Sequence, residues 1–226
     1  PVLPSIKKLI YSCQVGVSAF VGEISSGVIT VTFNMIILNL AGNTGVAAYG
    51  VVANTSLVAV ALFNGIAQGS QPLISRSYGR GEEQNVRSLL KMTLTTALGL
   101  GVLLMIFIFF SAPAVTAVFN SEHDLQLAAY ADSGLRLYFI GFLFAGINIV
   151  GTAVLSAVES VKYAFCASIS RGFVATIFFA FVLSAGFKMT GIWLAFPAAE
   201  FATMFITLSG LLCFTKQKGG MYHAKD

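Results

Sequence analysis

A polar stripe inside an apolar stretch is the first feature of this sequence that could do chemistry. Glu23 is followed by Gly27, Thr30 and Asn34 at i+4, i+7 and i+11, so a helix places these residues on one face. A carboxylate in line with a hydroxyl and an amide can border a hydrated path and bind a proton, a sodium ion or a cationic organic compound. The alternative is a protonated, hydrogen-bonded Glu23 that only ties helices together. The stripe favours a binding role.

Two further ionisable residues, Arg171 and Glu200, lie inside successive apolar segments joined by a short loop. Such segments form antiparallel neighbours, and a long arginine side chain can bridge an offset between them of about one or two helical turns. We expect a structural ion pair or separate interfacial contacts, and the alternative is a direct role in coupling.

Amide and phenol side chains form a second group of candidates. Asn54 and Gln68 are 14 residues apart and so lie on nearly one helical face. Amides at this depth either bond across helices or line a water path, and the sequence leaves both interpretations open. Tyr138 and Asn148 are similar candidates, for which helix packing is the favoured role.

Residues for catalysis or metal binding are sparse. The two histidines are His123 and His223, and neither a metalloprotease motif nor a nucleophile elbow is present. Cys13, Cys166 and Cys213 lie in separate apolar stretches without C-x-x-C spacing, which argues against zinc and against a disulfide framework. We therefore predict no catalytic residue, no metal site and no cofactor, and the chain is not expected to be an enzyme.

The elements that carry these residues follow from composition. Of the 226 residues, 57% are hydrophobic and 10% charged, and the mean hydropathy is +0.85. Soluble domains have about 45–50% apolar and about 25% charged residues. This chain would leave too much apolar surface uncovered in water, so lipid is its solvent. The net charge of +4 reflects loop placement, and no nucleic-acid partner is expected.

Six segments reach the roughly 20 apolar residues that cross about 30 Å of hydrocarbon. The runs do not alternate as barrel strands do, so we predict an all-α integral membrane fold. Residues 1–15 are predicted to be a cytoplasmic connector and residues 215–226 a basic cytoplasmic tail. The six-helix transmembrane lobe covers residues 16–214, with spans at about 16–40, 46–74, 86–111, 135–157, 163–185 and 192–214.

Turn signals separate these spans. Gly42–Gly45 is predicted to be a turn, and residues 187–191 close the gap before the last span. Pro113 is predicted to end the third span and start a connector. Ser121 is expected to cap a helix that starts at Glu122.

Basic residues in short loops set the orientation, because cytoplasmic loops are enriched in Lys and Arg. One side collects ten such residues and the other side only Arg136 and Lys188, so both ends are predicted to be cytoplasmic, in an inner or plasma membrane. The ten are Lys7, Lys8, Arg76, Arg80, Arg87, Lys91, Lys162, Lys216, Lys218 and Lys225.

Several runs resemble the multidrug and toxic compound extrusion (MATE) transporters. GIAQGSQPLISRSYGRGEEQNVRSLL, residues 65–90, resembles the end of the eighth helix of that family and the loop that follows. NMIILNLAGNTGVAAYGVV is similar to its seventh helix and outer turn, and SISRGFVATIFFAFVLSAGFKMTGIWLAFPAAEF to its closing pair of helices. The resemblance covers essentially the whole chain and implies the C-terminal lobe of a twelve-helix MATE-type transporter.

The resemblance also implies partners and a coupling residue. Glu23 matches an acidic position of the seventh helix that is linked to cation binding in some subfamilies, with H+ or Na+ left open as the coupling ion. The expected partners are membrane lipid, an N-terminal six-helix lobe and small organic substrates. The sequence starts at Pro1 with a stretch that looks like an internal connector, so we expect it to be part of a longer protein.

Three functions compete. The leading hypothesis is a secondary active antiporter lobe that exports amphipathic or cationic organic compounds in exchange for H+ or Na+. A lipid-linked saccharide flippase of related fold would need more basic residues in its cavity, where only Arg171 is available. A structural or oligomerising membrane subunit is the alternative from another class, favoured if the natural reading frame is no longer than this chain.

Overall fold

In a computed structural model, the backbone is described for residues 6–222 and the side chains for residues 27–160 and 162–215. Within that part of the chain every regular element is a helix, so the all-α prediction is confirmed. The elements are α1 (Ile6–Gly79), α2 (Glu83–Phe119), α3 (Leu125–Phe139), α4 (Phe142–Ala157), α5 (Val161–Ile169), a π-helical turn (Ser170–Val174) and α6 (Ala175–Tyr222).

The longest helices are broken once each. Gly42 interrupts α1 with φ 64° and ψ −158°, a conformation that glycine adopts without the Cβ penalty of other residues. Lys188 interrupts α6 with φ 50° and ψ −129°. At the second break Gly191 lies against the main-chain carbonyl of Leu183, where a Cβ would have no room. Both breaks fall inside the turns predicted from sequence, although each occupies one residue where the sequence indicated four or five.

Three described helical stretches are long and apolar enough to cross a membrane: Gly27–Gly79, Glu83–Phe119 and Lys162–Thr215. The pair α3 and α4, bent by 47° at a short break, is a fourth if it forms one span. Stretches of 53 and 54 residues at 1.5 Å per residue are about 80 Å long, well over the thickness of the hydrocarbon. The breaks at Gly42 and Lys188 divide them, but the count of six spans stays a prediction.

Two boundary predictions are wrong. Pro113 does not end a span, because α2 continues through it to Phe119; membrane helices tolerate proline where neighbouring groups satisfy the freed carbonyl. Ser121 does not cap the next helix, which starts at Leu125 with Asp124 as N-cap. The Asp124 carboxylate accepts hydrogen bonds from the main-chain N–H groups of the second and third helical residues at 2.7 and 3.2 Å, as a short acidic side chain does at that position.

Helix α4 lies at the centre of the packed helices and contacts α1, α2 and α6. Phe142 is fully buried, and it packs in one core cluster with Phe63 of α1 and Trp193 of α6. Because α4 is covered on three sides, it positions polar side chains away from both lipid and water.

A close helix contact at Gly101 yields a stability prediction. A Cβ at this position would lie 2.9 Å from the main-chain O of Phe142 and 3.3 Å from the Cα of Leu143. The neighbour is backbone and cannot rotate away, so Gly101→Ala is expected to cost about 1–3 kcal/mol of unfolding free energy. The midpoint of thermal unfolding in detergent measures this change.

Gly99 supplies the matched control on the same helix. No atom lies within 4 Å of a Cβ built there, so Gly99→Ala is expected to leave the midpoint unchanged or raise it slightly. Equal losses in the two variants would contradict the close α2–α4 contact.

Candidate functional site

The predicted pair of Arg171 and Glu200 forms in the structure. The Nε–H of Arg171 donates to Oε1 of Glu200 at 2.8 Å. The Glu200 side chain is 3% exposed and the Arg171 side chain 27% exposed, so the carboxylate is buried and the guanidinium reaches the edge of the packed helices. Such a short charge-assisted hydrogen bond compensates the desolvation of a carboxylate that has no access to water.

Asn148 of α4 holds the second carboxylate oxygen. Its Nδ2 donates to Oε2 of Glu200 at 2.7 Å and to the main-chain O of the same residue at 2.8 Å. Its Oδ1 accepts the hydroxyl of Thr207 at 2.9 Å. Asn148 and Thr207 are 0% exposed, so these groups depend on one another for hydrogen bonds.

The cluster continues into the π-helical turn. The hydroxyls of Ser170 and Thr203 lie 3.0 Å apart, and the hydroxyl of Thr176 donates to the main-chain O of Arg171 at 2.6 Å. A π-helical turn bulges the helix by one residue and is often found at functional positions. Here the turn lets both Ser170 and Arg171 reach α6. We call Asn148, Ser170, Arg171, Glu200, Thr203 and Thr207 the buried polar network.

Sequence reasoning found three members of this network and missed the rest. Asn148 and Glu200 are 52 residues apart, so nothing in the sequence paired them. A signal for Thr203 and Thr207 was present, because they follow Glu200 at i+3 and i+7 and share its helical face. The network contains no nucleophile paired with a base; it joins α4, the π-helical turn and α6 as a polar anchor.

Tyr138 packs in an aromatic cluster at the bend between α3 and α4. Its ring stacks on Phe196, with centroids 4.2 Å apart and planes at 5°, and Phe142 lies 5.3 Å from Phe196. The favoured packing interpretation of Tyr138 agrees with these contacts, and a role in substrate binding stays a prediction.

The break at Gly42 divides α1 into a first arm before it and a second arm after it. The second arm has an exposed face that carries amide side chains. Asn54 is exposed and donates from Nδ2 to the main-chain O of Gly50 at 2.8 Å, and Gln68 is exposed on the same side. The face also carries further exposed amides between and beyond these two. We call this set the amide face: Asn54, Asn64, Gln68 and Gln71. An amide in contact with hydrocarbon is costly, so this face requires water or protein against it.

The stripe on the first arm of α1 is only partly described. Thr30 is exposed and Asn34 half-buried, whereas the side chain of Glu23 lies outside the described residues. The hydrogen bonds of the buried polar network do not include Asn54 or Gln68. Apart from Tyr138 of α3, the predicted site residues therefore divide into a group in the buried polar network, on α4, the π-helical turn and α6, and a group on α1.

Known proteins share the sequence pattern and the helical fold of this chain. The family model MatE matches residues 19–182. No match is found among curated proteins. An inward-facing multidrug resistance MATE family transporter of the MOP superfamily superimposes with a TM-score of 0.87 at 17% identity, over 96% of this chain and 50% of that chain.

Two other solved structures give the same result. The outward-facing conformation of a multidrug resistance MATE family transporter matches with a TM-score of 0.86 at 16% identity, over 96% of this chain and 49% of that chain. A MOP superfamily transporter from Pyrococcus furiosus matches with a TM-score of 0.80 at 17% identity, over 95% of this chain and 48% of that chain. These likenesses establish the fold, and the chain spans about half the length of each of these structures.

Proposed function

The chain belongs to the MatE family of transporters, and from that premise we propose that it is the C-terminal six-helix lobe of a twelve-helix secondary antiporter. The complete transporter exports amphipathic or cationic organic compounds in exchange for inward-moving H+ or Na+. Coverage of about half of each similar transporter supports a missing N-terminal lobe. The charge asymmetry of the loops supports cytoplasmic positions for both ends of this chain.

The amide face is the observation that carries this proposal. Asn54 and Gln68 are exposed on a helix that is apolar enough to span a membrane, and the described part of the chain does not cover them. Opposite a second lobe, such a face borders a hydrated path in which amides exchange hydrogen bonds with passing polar groups. Exposed apolar side chains of the same arm, such as Leu57 and Leu62, supply loosely specific contacts for amphipathic compounds.

Glu23 is the proposed coupling residue of this path. It lies on the first arm of α1, in line with Thr30 and Asn34, and it is an acidic residue in an apolar stretch without a nearby basic residue in the sequence. A carboxylate there binds either the coupling ion or a cationic substrate. Competition between the two for one carboxylate links their opposite movements across the membrane.

The test is export by the full-length protein reconstituted into vesicles, with a proton gradient or a sodium gradient applied separately. Glu23→Gln keeps the size of the side chain and removes its charge, so gradient-driven export of a fluorescent organic cation is expected to fall at least tenfold. The gradient that drives export in the unchanged protein identifies the coupling ion.

Glu159→Gln is the matched control, because Glu159 is exposed at the end of α4, outside the proposed path. It is expected to export at the unchanged rate. Undiminished export by Glu23→Gln would remove Glu23 from the coupling mechanism, and absence of export under either gradient would remove the antiport proposal itself.

The two alternatives have weaker support. A flippase for lipid-linked saccharides needs cations in its path for the anionic phosphates, but no Lys or Arg occurs between Lys8 and Arg76, and Arg171 is held by Glu200 at 2.8 Å. A structural or oligomerising subunit would cover the amide face with a second copy of this chain. The length of the natural reading frame separates that alternative from the lobe.

A further inference from the structure

A shallow cleft of about 290 Å³ lies on the outer side of α2 and belongs to neither group of site residues. Five residues line it: Ser88, Lys91, Met92, Thr95 and Thr96. All five are exposed, on the side of the helix opposite its buried positions such as Val86 and Ala97. The cleft therefore opens away from the packed helices.

The chemistry of the cleft is that of an anion site. Lys91 has no ion pair in the part of the chain that the structure describes, and Arg87 precedes it by four residues, one helical turn away. Arg87 is exposed and donates one hydrogen bond, from Nη2 to the main-chain O of Thr215 at 3.3 Å. The hydroxyls of Ser88 and Thr95 lie at positions i−3 and i+4 from Lys91, so cation and hydroxyl donors share one face.

The same face of α2 becomes entirely apolar beyond the cleft. Val102 is 39% exposed, Ile106 49% and Phe110 78%, and they follow Thr95 at i+7, i+11 and i+15. Helical spacing places these three side chains in one line on the C-terminal side of Lys91. Along the helix axis the surface thus has a charged end at Arg87 and Lys91, then the hydroxyls of Thr95 and Thr96, and then an apolar stripe.

We propose that this face of α2 binds an anionic phospholipid, with the phosphate at Lys91 and Arg87, the glycerol and ester groups at the hydroxyls, and one acyl chain along Val102, Ile106 and Phe110. The order of the three zones matches the order of groups in the lipid. Lys91 lies about 12 Å along the helix axis from Glu83, where α2 begins, within the reach of a snorkelling side chain to the headgroup layer.

Lipid suits this face better than a second lobe. The amide face of α1 carries four exposed amides and needs water or protein, whereas the α2 face beyond Thr96 carries no polar side chain up to Phe110, and its exposed side chains include Leu103 at 61%. Hydrocarbon solvates such a surface without cost, and large exposed aromatic and aliphatic residues are typical of positions that face lipid.

Native mass spectrometry of the full-length protein, stripped of lipid in detergent, tests the proposal. Dioleoyl phosphatidylglycerol is expected to bind more tightly than dioleoyl phosphatidylcholine, because the choline headgroup is neutral overall. Lys91→Gln is expected to weaken phosphatidylglycerol binding about fivefold, the effect of losing one lysine near an anionic headgroup. Binding of phosphatidylcholine is expected to stay unchanged in the same variant.

Lys162→Gln is the matched control, since Lys162 is exposed and is predicted to lie on the same side of the membrane. It is expected to change phosphatidylglycerol binding less than twofold. Equal affinities for the two lipids, or equal losses in Lys91→Gln and Lys162→Gln, would overturn the proposal. Displacement of the lipid by millimolar glycerol phosphate would do the same, because it would show that the apolar stripe contributes nothing.

Photolabelling of the unchanged protein provides evidence that needs no variant. Phosphatidylglycerol with a diazirine on its acyl chain is expected to label residues 92–110 of α2, and labelling confined to other helices would overturn the proposal. Neither measurement uses a gradient or a transported compound. A failure of the antiport proposal therefore leaves the lipid result intact, and the reverse also holds.

Discussion

Arg171→Leu is expected to lower the free energy of unfolding by about 3–5 kcal/mol, the cost of leaving a buried charge without its partner. Glu200 is 2% exposed and receives the Nε–H of Arg171 at 2.8 Å. After the substitution the carboxylate keeps only Asn148 as a side-chain donor. Thermal unfolding of the full-length protein in detergent, followed by the loss of the monodisperse chromatographic peak, measures the change.

The exposed pair of Arg80 and Glu82 provides the matched control. Its charged atoms are 3.8 Å apart and its side chains 56% and 40% exposed, so water already solvates both charges. Arg80→Leu is expected to cost less than about 1 kcal/mol. The double variant Arg171→Leu/Glu200→Leu removes both buried charges and is expected to recover much of the loss. Equal losses in Arg171→Leu and Arg80→Leu would contradict the burial argument.

Asn148→Leu is expected to be nearly as damaging, at about 3 kcal/mol. The change leaves Oε2 of Glu200 without its amide donor, and it limits the buried hydroxyl of Thr207 to the 3.3 Å hydrogen bond with the main-chain O of Thr203. Each buried polar group that loses its partner costs about 1–3 kcal/mol, and only part of that is offset by the apolar leucine. The same unfolding assay measures it.

Asn54→Leu separates this effect from the loss of an amide in general. The amide of Asn54 is exposed and bonds within its own helix, to Gly50, so its removal is expected to change stability by less than about 1 kcal/mol. If Asn148→Leu were no more damaging than Asn54→Leu, the buried polar network would not hold α4 to α6. The comparison thus tests the anchor independently of transport.

These two predictions assign different tasks to residues that look alike in the sequence. Asn54 and Asn148 are both amides in apolar stretches, yet the first is exposed and the second 0% exposed. Glu23 and Glu200 are both carboxylates in apolar stretches of the sequence, and Glu200 is bound by an arginine and an asparagine. A fully bonded carboxylate suits an anchor, while the proposed exchange of ion and substrate requires one that can change partners.

Some elements could be predicted because local chemistry decides them. The breaks at Gly42 and Lys188 fall where glycine and polar residues interrupt apolar runs. The neighbourhood of Arg171 and Glu200 followed from a short connection between successive apolar segments. Pro113 was misjudged for the opposite reason: whether a helix continues through proline depends on what surrounds it.

The sequence by itself determined the solvent and the fold class, because 57% hydrophobic residues in long runs can be covered only by lipid and by one another. It also determined the family, through runs of residues that keep their order and spacing. Only the tertiary structure decided which polar residues are partners. Asn148 and Thr207 meet because α4 packs against α6, and Asn54 stays exposed because none of the described side chains packs against that face. Burial is a property of the assembled helices, and a single residue type does not encode it.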